Sequence, residues 1–208
     1  MTSTRRPAAS PERRDLVEAG VIAATEHLLS QGATFTELTM QQIATQAGLA
    51  RSTLYLYFPE KSTVLLPIAK RLGDGAFDII NGWSPRDPSG LDGLADAILE
   101  VIRYYRERAH VLAAINEVSG YDRVVREYWN AELDKFIDLS QEWLRTEQGA
   151  GRTSADLDPL TASLVIIHGS NQAIASHVTR GDPSRDAVVA REIAANQWFG
   201  GLRRSDTD

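Results

Sequence analysis

The chain has 208 residues, 43% hydrophobic and 24% charged, which is enough apolar material to bury a core in one or two domains. It has no cysteine, which excludes disulfides and thiol chemistry. It also has no run of about 18 apolar residues and no signal-peptide core, so a cytoplasmic protein with no membrane association is expected. The net charge of -6 is unevenly placed: residues 1 to 61 hold six basic and six acidic residues, leaving 16 basic against 22 acidic for the rest.

Residues 1–12 are polar and proline-bearing and read as a disordered basic arm, in which Arg5 and Arg6 can enter a minor groove or stay solvated. A first helix is predicted from Arg13 to Gln31, with Leu16, Ala19, Ala23, Leu28 and Leu29 inward and Gly32 as its stop. Thr39 and Gln42 form a capping box, with Leu38 and Ile43 as a hydrophobic staple, so a second helix should begin at Met40. Its apolar face is narrow (Ile43, Ala44, Ala47), and Gly48 can take the left-handed conformation that turns the chain sharply. A third helix from Arg51 to Phe58 puts Leu54 and Phe58 inward and turns Arg51, Ser52, Tyr55 and Leu56 outward together. Both later helices are too short to stand alone. The pair has the geometry of a helix-turn-helix, which places the N-terminal part of its second helix in a major groove. Lys61 follows Pro59 in the first turn of the next helix, where a cation opposes the helix dipole unless it and the helix end share a phosphate; a solvated lysine is the alternative.

Helical periodicity then runs almost to the end. Leu65, Ile68, Leu72, Ala76 and Ile80 mark a helix over 60–81, and WSPRDPSG breaks it. Further helices are predicted over 91–108, 110–119, 121–147, 159–180 and 184–199. Strand patterning is absent, so the fold class is all-α: a three-helix DNA-binding domain followed by a larger helical domain. In 159–180, Leu160, Leu164, Ile167, Asn171, Ile174 and Val178 form one stripe, while Ala162, Val165 and Ile166 make other faces apolar, so that helix must be buried on several sides. Tyr105, Trp129, Phe136 and Trp143, with the polar Asn116, His168 and Asn171 near them in the pattern, describe a small-molecule pocket or a core. For Asn171 an interhelical hydrogen bond competes with a ligand contact. The four histidines show no metal spacing, and no P-loop, GxGxxG or GxSxG occurs, so neither an enzyme nor a cofactor nor a metal site is expected.

The register of Thr39, Ile43-Ala44, Ala47-Gly48-Leu49, Thr53-Leu54-Tyr55, Tyr57-Phe58 and Lys61 resembles the DNA-binding domain of the TetR family of bacterial transcriptional regulators. The resemblance implies that Arg51, Ser52 and Tyr55 face bases and that Thr39, Thr53, Tyr57 and Lys61 contact phosphates. The family usually has Ser or Thr capping the recognition helix; Ala50 stands there in this chain, which removes one hydroxyl contact. The resemblance further implies a homodimer through the helices near 159–180 and 184–199, on a palindrome-like DNA operator, responding to a small-molecule effector. The run TLYLYFPEKSTVLL and the Trp-rich later helices are similar to a mycobacterial member, which implies a long, largely hydrophobic channel. The expected organisation is an arm over 1–12, a helix-turn-helix domain over 13–61 and a ligand-binding and dimerisation domain over 62–208. The expected activity is repression relieved when the ligand shifts the helix after Pro59. An activator, an architectural DNA-binding protein, and a helical ligand-binding protein without specific DNA binding are the alternatives.

Overall fold

A computed structural model describes residues 11–206; Arg5 and Arg6 of the expected arm lie outside them. Among the described residues the structure is helical throughout and holds no strand: α1 (Pro11–Ser30), α2 (Met40–Gln46), α3 (Arg51–Tyr57), a 3-10 turn (Lys61–Val64), α4 (Leu65–Asn81), α5 (Gly90–Glu107), α6 (Ala109–Ser119), α7 (Arg123–Gly149), α8 (Pro159–Arg180), a second 3-10 turn (Pro183–Arg185), α9 (Asp186–Gln197) and a π turn (Trp198–Leu202). No helix among them is long and apolar enough to cross a membrane.

The buried face of α1 differs from the expected one. Val21, Ile22, Ala24 and Leu29 are buried, with Val17 and Leu28 packed against them, whereas Leu16 is 75% exposed and Ala19 and Ala23 face solvent. Two stripes at helical spacing competed, and the one carrying Val and Ile removes more apolar area from water than one made largely of alanine. Thr25 lies fully buried in the winning stripe because its hydroxyl donates to the Val21 carbonyl, 2.8 Å away.

Local signals fix α2 and α3. The Thr39 hydroxyl accepts from the Gln42 N–H, and the Gln42 carboxamide oxygen accepts from the Thr39 N–H at 2.8 Å, completing the capping box. Gly48 has φ +66°, a conformation that penalises any side chain, and directly after it the Leu49 N–H donates to the Ala44 carbonyl at 2.8 Å. Leu54 and Phe58 complete the small core between α1 and α2. That core does not end there: Val64, Leu65 and Ile68 carry the same buried cluster along α4 into the remaining helices.

In the rest of the molecule α5 packs on α9 and α7 on α8, while α4 touches α1, α5, α6 and α7. A side chain at Gly75 would run into the Tyr104 hydroxyl, which donates to the Arg71 carbonyl at 3.0 Å, so glycine there lets α4 and α5 approach closely. Asp122 and Asp158 cap α7 and α8. Charges tie the helix ends. Arg106 of α5 donates to both carboxylate oxygens of Asp186, at 3.0 and 2.5 Å, and the His177 ring lies 2.8 Å from the same carboxylate, joining α5, α8 and α9. Glu147, with its side chain 1% exposed, takes Arg152 at 2.6 and 2.8 Å and Arg203 at 2.6 Å. Arg203 also stacks on Trp198 and donates to the Pro85 carbonyl, pinning the carboxy-terminal turn to the α4–α5 loop.

The Arg152 and Arg203 guanidiniums outweigh the cost of burial and hold the Glu147 carboxyl below its ordinary value of 4.5. A depressed folded-state value means stability that is present above that pH and lost as pH falls through and below it. Glu147→Gln leaves the guanidiniums without their buried counter-charge and should cost about 3 kcal/mol in urea unfolding at neutral pH. It should also flatten the acid limb of the stability curve; an unchanged acid limb would show that Glu147 does not carry this titration.

Candidate DNA-reading head and ligand cavity

The geometry of α3 places Arg51, Ser52, Tyr55 and Leu56 on its exposed side, with Leu54 fully buried on the other. Thr53 and Tyr57 are half-buried at the flanks, and Thr39, whose hydroxyl belongs to the cap of α2, lies at the surface. Arg51 is oriented by its neighbour one turn on: its guanidinium lies 5.4 Å from the Tyr55 ring centroid and donates to the Tyr55 hydroxyl at 3.3 Å. Ala50 provides no side-chain cap, as its chemistry dictates. The exposed face therefore combines a planar five-donor cation, two hydroxyls and one leucine, groups suited to base edges.

Lys61 departs from the expectation drawn for it. It opens a 3-10 turn ahead of α4, and its ammonium donates to the carbonyls of Phe35, Thr36 and Leu38 at 3.0, 2.9 and 2.9 Å. An ammonium has three donors, and all three are used. Partial burial pulls its pKa down, with the charge of Glu117 acting in the opposite direction. The same loop is held from its other side: the Thr36 N–H donates to Glu117 at 3.2 Å, and the Thr36 and Tyr121 hydroxyls lie 2.9 Å apart. Lys61 thus joins the α1–α2 loop to the start of α4, and the end of α6 meets the same loop.

Between α4, α5, α7, α8 and α9 lies an apolar cavity of about 70 Å³. Its walls include Tyr105, Phe136, Trp143 and Asn171 from the sequence-based set, and no acidic, basic or histidine side chain lines it. Neither the Tyr105 hydroxyl nor the Asn171 carboxamide has a hydrogen-bond partner among the described residues. Burial raises the Tyr105 pKa strongly, so its hydroxyl stays a donor. Ser140 and Ser170 are partnered instead, by Ser163 at 3.0 Å and by Gln197 at 3.1 Å. Three expected ligand residues are elsewhere: Asn116 and His168 are exposed on α6 and α8, and Trp129 is packed in the core.

Residues 21–68 match the family model described as bacterial regulatory proteins, tetR family. Over these residues the chain resembles the tetR family. Over nearly its full length it is also similar to the HTH-type transcriptional regulator EthR of Mycolicibacterium smegmatis, at 28% identity over 97% of this chain and 94% of that one. Solved structures share the fold at lower identity. Salmonella enterica GusR superposes with a TM-score of 0.71 at 16% identity, over 96% of this chain and 100% of that one. The Bacillus subtilis regulator FadR, solved in complex with stearoyl-CoA, superposes with 0.69 at 17% identity, over 86% of this chain and 96% of that one.

The bounds and exposed face of α3 follow from local rules, whereas the cavity needs tertiary structure. Ile98, Val101, Ser170 and Gln197 line it, yet nothing in their local patterns separates them from core or surface residues. Asn171 was visible because it interrupts an apolar stripe. Asn116 and His168 share that polarity, but their helices turn them outward.

Replacing Lys61 by Met keeps its length and removes the donors to the loop carbonyls. A cost of about 2 to 4 kcal/mol is expected, since hydrogen bonds to charged groups are worth roughly 1.5 to 3 kcal/mol each and water replaces part of them. Hydrogen exchange should accelerate at residues 35–39 more than in α8; uniform protection would show that the tie carries no local stability.

Proposed function

We propose that the chain is a homodimeric repressor that binds a two-fold symmetric operator and leaves it when a small, uncharged, largely hydrophobic ligand enters the α5–α7–α8 cavity. The observation that carries the reading is the exposed face of α3, where Arg51, Ser52 and Tyr55 stand together on a helix fixed by the turn at Gly48. In this reading residues 13–61 form the DNA-reading domain and residues 62–208 the ligand-binding and dimerisation domain, while of the expected arm over 1–12 Pro11 and Glu12 already belong to α1. Thr39, Thr53 and Tyr57 contact phosphates beside the reading face. Lys61 supports that surface from behind, because its donors are already engaged.

Dimerisation is supported by where apolar surface remains. Of the ten large hydrophobic residues left exposed among the described residues, five lie on α8, α9 and the turn after them: Leu160, Leu164, Val165, Val188 and Phe199. A groove beside them is floored by Gly169, Ala173 and Gly200, small enough for a second helix pair to approach closely. An isologous two-fold interface there would pair two reading heads.

The ligand class follows from the cavity walls. Apolar side chains match a hydrocarbon or aromatic body, and Tyr105 and Asn171 can serve one neutral polar group such as a carbonyl or amide. Phosphates like those of the stearoyl-CoA bound by Bacillus subtilis FadR would meet no cation inside. At about 70 Å³ the cavity is far below the roughly 300 to 1,000 Å³ of ordinary ligand sites, so entry must spread α7 from α8. That movement reaches the head along α4 and through the contact of Glu117 and Tyr121 with Thr36. A coupling of about 1 to 3 kcal/mol suffices to change operator affinity some 5- to 150-fold.

The test is selection of duplexes from a random DNA pool with the purified full chain. A two-fold symmetric consensus is expected, together with derepression of the adjacent gene in a deletion strain; a pool without enrichment would overturn the reading. Arg51→Ala should lose discrimination at one base position in each half-site by roughly 1 to 3 kcal/mol. Val165→Glu should sediment as a monomer and lose cooperative binding to the full site while keeping its helical content.

A further inference from the structure

We infer that Leu56 is a specificity-determining residue that reads the C5-methyl group of a thymine in the major groove. The inference rests on the reading-head assignment above and adds to it a contact of a different chemical kind.

Leu56 is 75% exposed, as exposed as any large hydrophobic residue described. A single exposed leucine needs no explanation by itself. Its position supplies one. On α3 the positions of Arg51, Tyr55, Ser52 and Leu56 fall in that angular order along one side at helical spacing, so the leucine is continuous with the base-facing strip. Nothing else among the described residues covers it: α3 packs on α1 and α2 through its opposite side. The surface apolar groups of α8 and α9 belong to another part of the molecule.

Its neighbours leave it the apolar part of the readout. Tyr55 holds the Arg51 guanidinium against its ring and hydroxyl, and so serves to aim a polar group. Arg51 then supplies donors matched to guanine acceptors, and Ser52 supplies a hydroxyl that suits several base edges. A branched aliphatic side chain has no hydrogen bond to offer, and the thymine methyl is the one apolar group on the major-groove edge of the base pairs. Desolvating both on contact gives leucine at this position a preference for thymine over cytosine at one step of each half-site.

The experiment uses the full chain and the duplex enriched from the random pool, with each thymine in turn replaced by deoxyuridine, which removes only the methyl. Wild-type protein should lose about fourfold in affinity at one thymine per half-site, the equivalent of one buried methyl, and little elsewhere. Leu56→Ala should bind the unmodified duplex about as weakly as wild type binds the uracil form, and should be indifferent to uracil at that position. Because Leu56 is at the surface, its variant should melt with the wild type, and Leu56→Met should retain most of the uracil effect. A flat uracil scan with wild type overturns the inference while leaving the reading head intact. So does uracil sensitivity that persists in Leu56→Ala. Failure of the pool to enrich at all removes the reading-head assignment, and this inference with it.

Discussion

Lys61 reaches back from the turn ahead of α4 to the carbonyls of Phe35, Thr36 and Leu38, and this contact holds the two parts of the molecule in register. The loop it grips carries Phe35 and Leu38 into the core and ends at Thr39, the residue that starts α2. Helix α2 in turn fixes α3 through a turn only a few residues wide. Both are seven residues long, well below the length at which an isolated helix is stable, so their orientation is entirely inherited from what they pack on. With all three of its hydrogens on backbone carbonyls, the Lys61 ammonium has no donor left for a direct hydrogen bond elsewhere. The contribution of Lys61 is therefore to hold the loop from which α2, and through it α3, is positioned.

Charge elsewhere is placed so as to leave the centre of the helical bundle apolar. The two most buried ion clusters, Glu147 with Arg152 and Arg203, and Asp186 with Arg106 and His177, both lie at helix ends. Each joins segments distant in sequence, and each satisfies its carboxylate with charge-assisted hydrogen bonds, the condition under which a buried ion is tolerated. Between them the walls of the cavity carry only apolar and neutral polar groups. The helices around it are thus clamped by charge at their ends, with one further mid-helix ion pair, Lys135 of α7 to Asp74 of α4 at 2.8 Å, and the cavity itself is closed by apolar packing and neutral hydrogen bonds such as that between Ser163 and Ser140. That arrangement makes the middle the place where a neutral guest can part them.

How much of this the sequence discloses depends on the range of the interactions. The capping box at Thr39 and Gln42, the turn at Gly48 and the uncapped Ala50 were legible because each is decided within about five residues. The bounds of α8 were legible too, since Asp158 and Pro159 mark its start unambiguously. The face of α1 was misread because two stripes share one helical period, and the choice between them is made by what packs opposite. The loop contacts of Lys61 are hidden for the same reason at longer range: its partners lie 23 to 26 residues earlier. The expected ligand residues divided likewise. Tyr105, Phe136, Trp143 and Asn171 meet at one cavity, while Asn116, Trp129 and His168 are separated from it by helix rotation that polarity alone does not encode.

A head with equal numbers of basic and acidic residues gains little from counterion release, so a single copy would hold DNA weakly. Joining two heads rigidly makes the second contact intramolecular, and the gain then depends on whether both heads fit their half-sites at once. Such a device is sensitive to spacing in proportion to how little each head contributes alone. In the proposed mechanism a ligand that enlarges a cavity far from α3 need not weaken any base contact; it has only to move α4 and the end of α6 enough that one head leaves its groove. In the proposed dimer, the same neutrality that makes each head a modest binder makes the spacing of the two heads the controlling variable.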